Sequence, residues 1–270
     1  MLLAQISDLH IKPERRHAYG LVDSATMAER CVDAILKLKQ RPDAVVATGD
    51  LVDLGCSEEY GLLREILAPL SMPLYLLPGN HDERCALRAS FPEHAYLRQW
   101  QPFIQYVIED HPLRIIALDT VIPGQGGGEL CTQRLRWLDE TLTKNQRPTV
   151  VALHHPPFLT GIGHMDRLSL ANSKGLEEVI GRHPQVERVI AGHLHRPIIK
   201  RFAGTTASVC PSCAHQVALD LSPDGADHFV LEPPAFQLHL LTASGLVTHT
   251  SYIGEFPGPY PFREGGRLID

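Results

Sequence analysis

The sequence has no basic excess. Its 25 Lys and Arg are outnumbered by 31 Asp and Glu, leaving a formal net charge of -6 and a pI near 6.2. Nothing in that balance suits a groove that neutralises a phosphate polymer, so polymeric nucleic acid is not an expected partner. A disulfide framework is missing too. Six cysteines (Cys31, Cys56, Cys85, Cys131, Cys210, Cys213) are scattered through 270 residues, a length that needs no staples, which predicts reduced thiols and a cytoplasmic location. No apolar run approaches a membrane span, so no membrane partner is expected. No secretory leader precedes the first apolar run, and the mature chain is expected to begin as written. The glycine-rich stretch 124–128 lacks the Gly-Lys-Ser/Thr ending of a phosphate loop and reads as a flexible surface loop. Cys210 and Cys213 have the spacing of a redox or zinc half-site but lack a second pair, so a packing role is favoured.

What is present is an ordinary globular composition, 44% hydrophobic and 21% charged, with short Val/Ile/Leu runs alternating with longer amphipathic segments. That rhythm predicts an α/β sheet layered by helices. Strands are expected at 2–7, 44–48, 74–77, 114–118, 150–153 and 188–191. Helices are expected at 25–39, 60–67, 133–143 and 176–181, started by Ser24, Ser57, Thr132 and Ser173. Met27, Cys31, Ile35 and Leu38 fall at helical spacing and read as core packing. After Pro197 the pattern turns β-rich, with strands expected at 202–209, 214–221, 236–242 and 246–252 and a Pro/Gly-rich end at 256–262. Residues 1–225 are expected to form the main domain, and 226–270 a C-terminal β extension that caps the site or joins a partner subunit.

The polar residues fall where the strands stop. Asp8 and His10 follow the first, Asp50 the second and Asn80 the third; His154 and the pair His193/His195 follow later ones. In an α/β sheet the loops after strand C-termini line one edge, so residues far apart in sequence can converge there. Two metal ions suit these side chains, because a carboxylate can bridge whereas a neutral imidazole gives one nitrogen to one ion. Asp50 is the expected bridge, with Asp8, His10 and His195 on one ion and Asn80, His154 and His193 on the other. A nitrogen and oxygen shell without thiolate fits Fe, Mn, Zn or Co, divalent or trivalent, and disfavours calcium.

These blocks, Ser7-Asp8-Leu9-His10, Gly49-Asp50-Leu51-Val52-Asp53, Gly79-Asn80-His81-Asp82, His154-His155 and Gly192-His193-Leu194-His195, resemble the calcineurin-like metallophosphoesterase superfamily. Ala18-Tyr19-Gly20, Arg41-Pro42-Asp43, Pro73-Leu74-Tyr75 and Met165-Asp166 are similar to its bacterial class III cyclic nucleotide phosphodiesterases and glycerophosphodiesterases. The resemblance implies a four-layer sandwich of two mixed sheets flanked by helices, a dinuclear site at the strand ends and a homo-oligomer joined through residues after Pro197. Leu54 after Asp53, and Asp82 ending the third block, depart from the serine/threonine phosphatases and disfavour a phosphoprotein substrate.

Two ions about 3.5–4 Å apart would acidify a water and set it in line with phosphorus, so no protein nucleophile is required. His81 is the candidate to protonate the leaving alkoxide or position the phosphate. Asp53 and Asp82 are expected to orient ligands, and His155 to pack away from the site. His164 and His215 are candidates to line the pocket. Small phosphodiesters are the expected substrates, with cyclic nucleotides placed ahead of glycerophosphodiesters because the tail shows no obvious match to the latter group. A monoesterase would recruit extra Arg or Lys, and the blocks contain none before Arg84 and Arg196.

Overall fold

Side-chain parity along the strands sets the layers of the fold. The computed structural model describes residues 1–269, and in it the strands Arg114–Leu118 and Thr149–Leu153 are buried on both faces. Successive residues of a strand point to opposite faces. Ile115, Ala117, Val150 and Ala152 therefore join a core with Leu3, Ile6 and Val45 of other strands, and with Ala28, Val32, Ile35, Tyr60 and Leu63 of the helices Ser24–Lys37 and Ser57–Leu67. Their neighbours Ile116, Leu118, Val151 and Leu153 face a second core with Leu138, Leu142, Leu176 and Ile180 of the helices Thr132–Thr143 and Ser173–Ile180. The result is helices, sheet, sheet, helices: a four-layer α/β sandwich. Truncating a fully buried leucine of either core, Leu63 or Leu138, would cost about 2–5 kcal/mol.

Both sheets are mixed. One runs Gly245–Tyr252, Ala235–Thr242, Leu2–Ile6, Ala44–Thr48, Leu74–Leu77, parallel across its last three strands and antiparallel at the C-terminal hairpin. The other runs Ile198–Phe202, Thr205–Val209, Val186–Ala191, Thr149–Leu153, Arg114–Leu118, Tyr106–Ile108, with parallel centre and antiparallel edges. A buried polar seam lies between the sheets. The Gln5 side chain donates to Thr48 Oγ1 and to Ala191 O, both at 2.9 Å, and its Oε1 accepts from His239 Nε2 at 3.0 Å.

Several expected boundaries shift. Each residue read as a helix start sits one position inside its helix, and the caps are Asp23, Cys56, Cys131 and Asn172. Asp23 accepts from Thr26 N, while Ser24 Oγ donates to His10 O at 2.8 Å. The strand expected at 202–209 is a hairpin turning at Ala203 and Gly204, both with positive φ, and the segment 214–221 is strand only at Gln216–Val217. The glycine-rich stretch is a free surface loop only in its first half. Gly126 O accepts from His155 Nε2 at 3.1 Å, and a side chain at buried Gly128 would strike the His155 ring. No helix of the described residues is long and apolar enough to cross a membrane.

Candidate metal centre and cavity

The hydrogen bonds of each imidazole fix which nitrogen is free. His10 Nδ1 lies 3.2 Å from Asp53 Oδ1 and His195 Nδ1 lies 3.1 Å from His215 O. Both partners only accept, so both protons sit on Nδ1 and both Nε2 atoms present lone pairs. Those two lone pairs face each other at 3.2 Å. Asp50 Oδ2 stands 3.7 Å from His10 Nε2, and Asp8 Oδ1 stands 3.5 Å from His195 Nε2. Four electron-rich groups thus converge within 4.8 Å of one another, a crowding that a cation relieves.

The same logic repeats next door. His154 donates from Nδ1 to Thr48 O at 2.8 Å, which turns Nε2 toward Asn80 Oδ1 at 3.1 Å and Asp50 Oδ2 at 3.3 Å. His193 donates from Nε2 to Leu168 O at 3.2 Å, which frees Nδ1. Asp50 Oδ2 is common to both groups. The two clusters of His and Asp donors fit a dinuclear metal site.

Burial favours the ligating form of two of these imidazoles, while Asp8 and His154 shift the other way and must shed a proton for a cation to bind. Burial pushes the His193 imidazole down to about 3 and His195 well below its ordinary range, keeping both neutral and able to donate a lone pair. Burial also raises Asp8 to about 6. For His154 burial works downward, but the Asp50 carboxylate outweighs it and lifts the group to about 9. Burial would raise the Asp53 carboxyl, yet hydrogen bonds from His10 and Lys12 hold it below the usual carboxylate range.

The backbone is distorted where these side chains leave it. Asp8, His10, Asp50, His193 and His195 all have φ between 46° and 71°, the left-handed region, a cost of about 1–3 kcal/mol each that the surrounding structure must offset. Asp8 N donates to Gly49 O and His10 N to Asp50 O, both at 3.0 Å. The motif glycines are explained by space. A Cβ on Gly79 would land on Asp50 Oδ1, and one on Gly192 would land on Ser7 Oγ.

All seven residues read as ligands, together with His81, converge at this edge. His81 donates from Nδ1 to Asp53 O at 2.8 Å, and its backbone N–H donates to Asp50 Oδ1 at 2.9 Å. Asp82 ties two blocks together by accepting from Gly79 N and Leu51 N. Both ring nitrogens of His155 are engaged, with Thr120 Oγ1 at 2.8 Å and Gly126 O. Cys210 Sγ donates to Gln5 O at 3.4 Å, Cys213 is buried in the core, and both are free thiols. Three contributors escaped the sequence. Tyr60 Oη donates to Asp82 Oδ1 at 2.8 Å, Ser212 Oγ donates to Asp8 O at 2.8 Å, and Thr48 O accepts from His154. Tyr60 sits on a helix whose pattern signalled only core, and Ser212 lies between the two cysteines.

Above the donors opens a cavity of about 460 Å³. Its lining includes Tyr19, His81, His164, His215, Asp227 and Phe229. Tyr19, His215 and Phe229 form an aromatic wall with ring centroids 5.2–5.6 Å apart. No Lys or Arg is among the described lining residues. Arg84 is spent on Asp119 at 2.6 Å, and Arg196 on Val217 O and Glu232.

The profile of the calcineurin-like phosphoesterase family matches residues 1–197. The chain belongs to that family. The chain is 42% identical over 274 residues, covering 100% of both chains, to the probable glycerophosphodiester phosphodiesterase GpdQ of Arcobacter nitrofigilis. It is 35% identical over 256 residues, 92% of this chain and 91% of the relative, to a probable cyclic nucleotide phosphodiesterase of Rhodopseudomonas palustris. A dimetal phosphatase from Danio rerio shares the fold, with TM-score 0.68 at 16% identity over 94% of this chain and 99% of that one. The tail expected to lack a glycerophosphodiesterase counterpart is included in the first of these alignments. The chain is thus a metal-dependent phosphoesterase of the calcineurin-like family.

Proposed function

We propose that this phosphoesterase hydrolyses glycerophosphodiesters. The observation that carries the substrate class is the end-to-end alignment with the Arcobacter relative, since the cavity chemistry alone admits any small diester. In this reading Asp8, His10, Asp50 and His195 would hold one ion, and Asp50, Asn80, His154 and His193 would hold the other. When bound, the pair supplies Lewis acidity at phosphorus and acidifies the attacking water. His81 keeps Nδ1–H on Asp53 O, which leaves Nε2 to pass a proton to the leaving alkoxide across the cavity it lines. The Asn80 amide nitrogen is left to donate to a phosphoryl oxygen. A lining without Lys or Arg supports a diester, which carries one negative charge, over a monoester.

A homo-oligomer belongs to the same reading: the expected extension 226–270 is divided by the structure, its hairpin Ala235–Tyr252 completing a main sheet, which leaves 227–229 beside the cavity and residues 253–269 as the joining segment. It is supported by Phe256, Tyr260 and Phe262, which are 61%, 75% and 87% exposed. The free thiols support a reducing, cytoplasmic setting. The test of substrate class is kcat/KM across glycerophosphoethanolamine, 3′,5′-cyclic AMP and 2′,3′-cyclic AMP. The glycerophosphodiester should lead. A cyclic nucleotide leading by tenfold or about that would overturn the reading in favour of the class represented by the Rhodopseudomonas relative.

A further inference from the structure

We propose that Gln5 is a positioning residue for the metal centre: through a buried chain of hydrogen bonds it sets the spacing of the two sheets, and with it the distance between the ligands that each sheet carries. This rests on the ligand set proposed above, in which each ion draws on both sheets. Asp8, His10, Asp50 and Asn80 follow strands of one sheet, and His154, His193 and His195 follow strands of the other. The donors meet only when the sheets stand at the right separation. Apolar burial is non-directional, whereas a hydrogen bond fixes both a distance and a direction.

The Gln5 side chain meets three strand ends at once. It belongs to Leu2–Ile6, the strand that leads into Asp8. Its Nε2 donates to Thr48 Oγ1, on the strand that leads into Asp50, and to Ala191 O, on the strand that leads into His193, both at 2.9 Å. The second of these bonds crosses from one sheet to the other. Gln5, Thr48 and Ala191 are at most 1% exposed, so bulk water does not compete for these groups.

The direction of the chain follows from Ala191 O, which only accepts. The Gln5 nitrogen must face that oxygen, and Oε1 must face His239. His239 then carries its proton on Nε2, 3.0 Å from Oε1, and its Nδ1 accepts from Thr248 Oγ1 at 2.8 Å. Burial, with the Arg188 charge nearby, pushes His239 down to about 3, which keeps the ring neutral with that single proton. At the other end Thr48 Oγ1 donates to Ser7 Oγ, next to Asp8, at 2.8 Å, and Thr48 O accepts from His154 Nδ1 at 2.8 Å. Every donor from Thr248 to Thr48 points toward the metal-facing floor, and a buried chain satisfied in this way rigidifies what it joins.

The test is titration of the apoprotein with manganese(II), read from the electron paramagnetic resonance signal of the free ion, with thermal unfolding measured on each variant. Gln5→Leu, which keeps the bulk of the side chain and removes the amide, should bind manganese about 10- to 100-fold more weakly while remaining folded. His239→Leu should weaken binding in the same direction, and His239→Gln, whose amide can again donate to Gln5 and accept from Thr248, should recover most of it. Gln237→Leu is the control. Gln237 Nε2 donates across the same seam to Val209 O at 3.2 Å, on a strand that leads to none of the seven ligands, so its loss should lower the unfolding temperature and leave manganese affinity unchanged. Wild-type affinity in Gln5→Leu, or an equal loss in Gln237→Leu, would reduce the seam to a stabilising feature and overturn the proposal. Should Gln5→Leu fail to fold, the His239 pair decides, and equal binding by His239→Leu and His239→Gln would overturn the proposal as well. A wild-type protein that does not bind two ions would instead remove the proposed ligand set, whatever the variants do.

Discussion

The floor and the wall of the cavity differ in how they are held. On the floor, Asp8, His10, Asp50, His193 and His195 leave strand ends, are at most 5% exposed, and sit on left-handed backbone. On the wall, Tyr19 is 56% exposed, the Asp227 side chain 88%, and both come from loops. Two packed sheets over-determine the floor, so strain can be stored there in the service of ligand geometry. The wall is free to vary, which suits the part of a site that chooses among substrates. If this division is right, floor substitutions change metal content and turnover together, whereas wall substitutions change ligand preference.

The sharpest break would come from Asp50→Ala. Removing the one carboxylate common to both clusters should empty both sites and reduce diester hydrolysis to the background rate, read by metal analysis and bis(p-nitrophenyl) phosphate turnover. Retention of both ions in that variant would break the floor as described. His81→Ala comes next. It should lower kcat by about 10²- to 10⁴-fold with metal content unchanged, because its ring bonds to Asp53 O and not to the shared oxygen. Loss of an ion would move His81 into the ligand set.

Asp53→Asn tests the support beneath the floor. It replaces the acceptor that holds His10 in its Nε2-free form and should weaken metal affinity or activity by about 10- to 100-fold, measured by titrating the apoprotein with manganese. Tyr60→Phe has the smallest expected effect. It removes the hydroxyl that donates to Asp82 Oδ1 and accepts from Glu83 N, and should lower unfolding stability by about 1–2 kcal/mol with little change in kcat. A large fall in kcat would show that Tyr60 positions the metal loops during turnover.

The floor was legible in the sequence because its chemistry is periodic with the fold. Each ligand type follows a strand-like run, and Gly49, Gly79 and Gly192 mark backbone that must pass close to another motif. The layers were legible from alternation and amphipathicity. The wall was legible only in part. His215 was expected to line the pocket and does so, and Tyr19 stands in a block that carries the family resemblance. Nothing in the local pattern of Asp227 or Phe229 distinguishes them from loop residues, and the pairing of Gln216–Val217 with Phe229–Val230 brings that last segment over the site. His164 drew notice as a loop histidine, but its unpartnered burial is a property of three dimensions. The roles of Tyr60 and Ser212 were hidden for a similar reason. Each acts through one long-range hydrogen bond, which leaves no periodic trace.

The central claim is that two ions share Asp50, and anomalous diffraction from crystals of the manganese-loaded protein tests it most directly. Two peaks in contact with Asp50 are predicted, one beside Asp8, His10 and His195 and the other beside Asn80, His154 and His193. A single peak, or two peaks with Asp50 touching only one, would contradict the account.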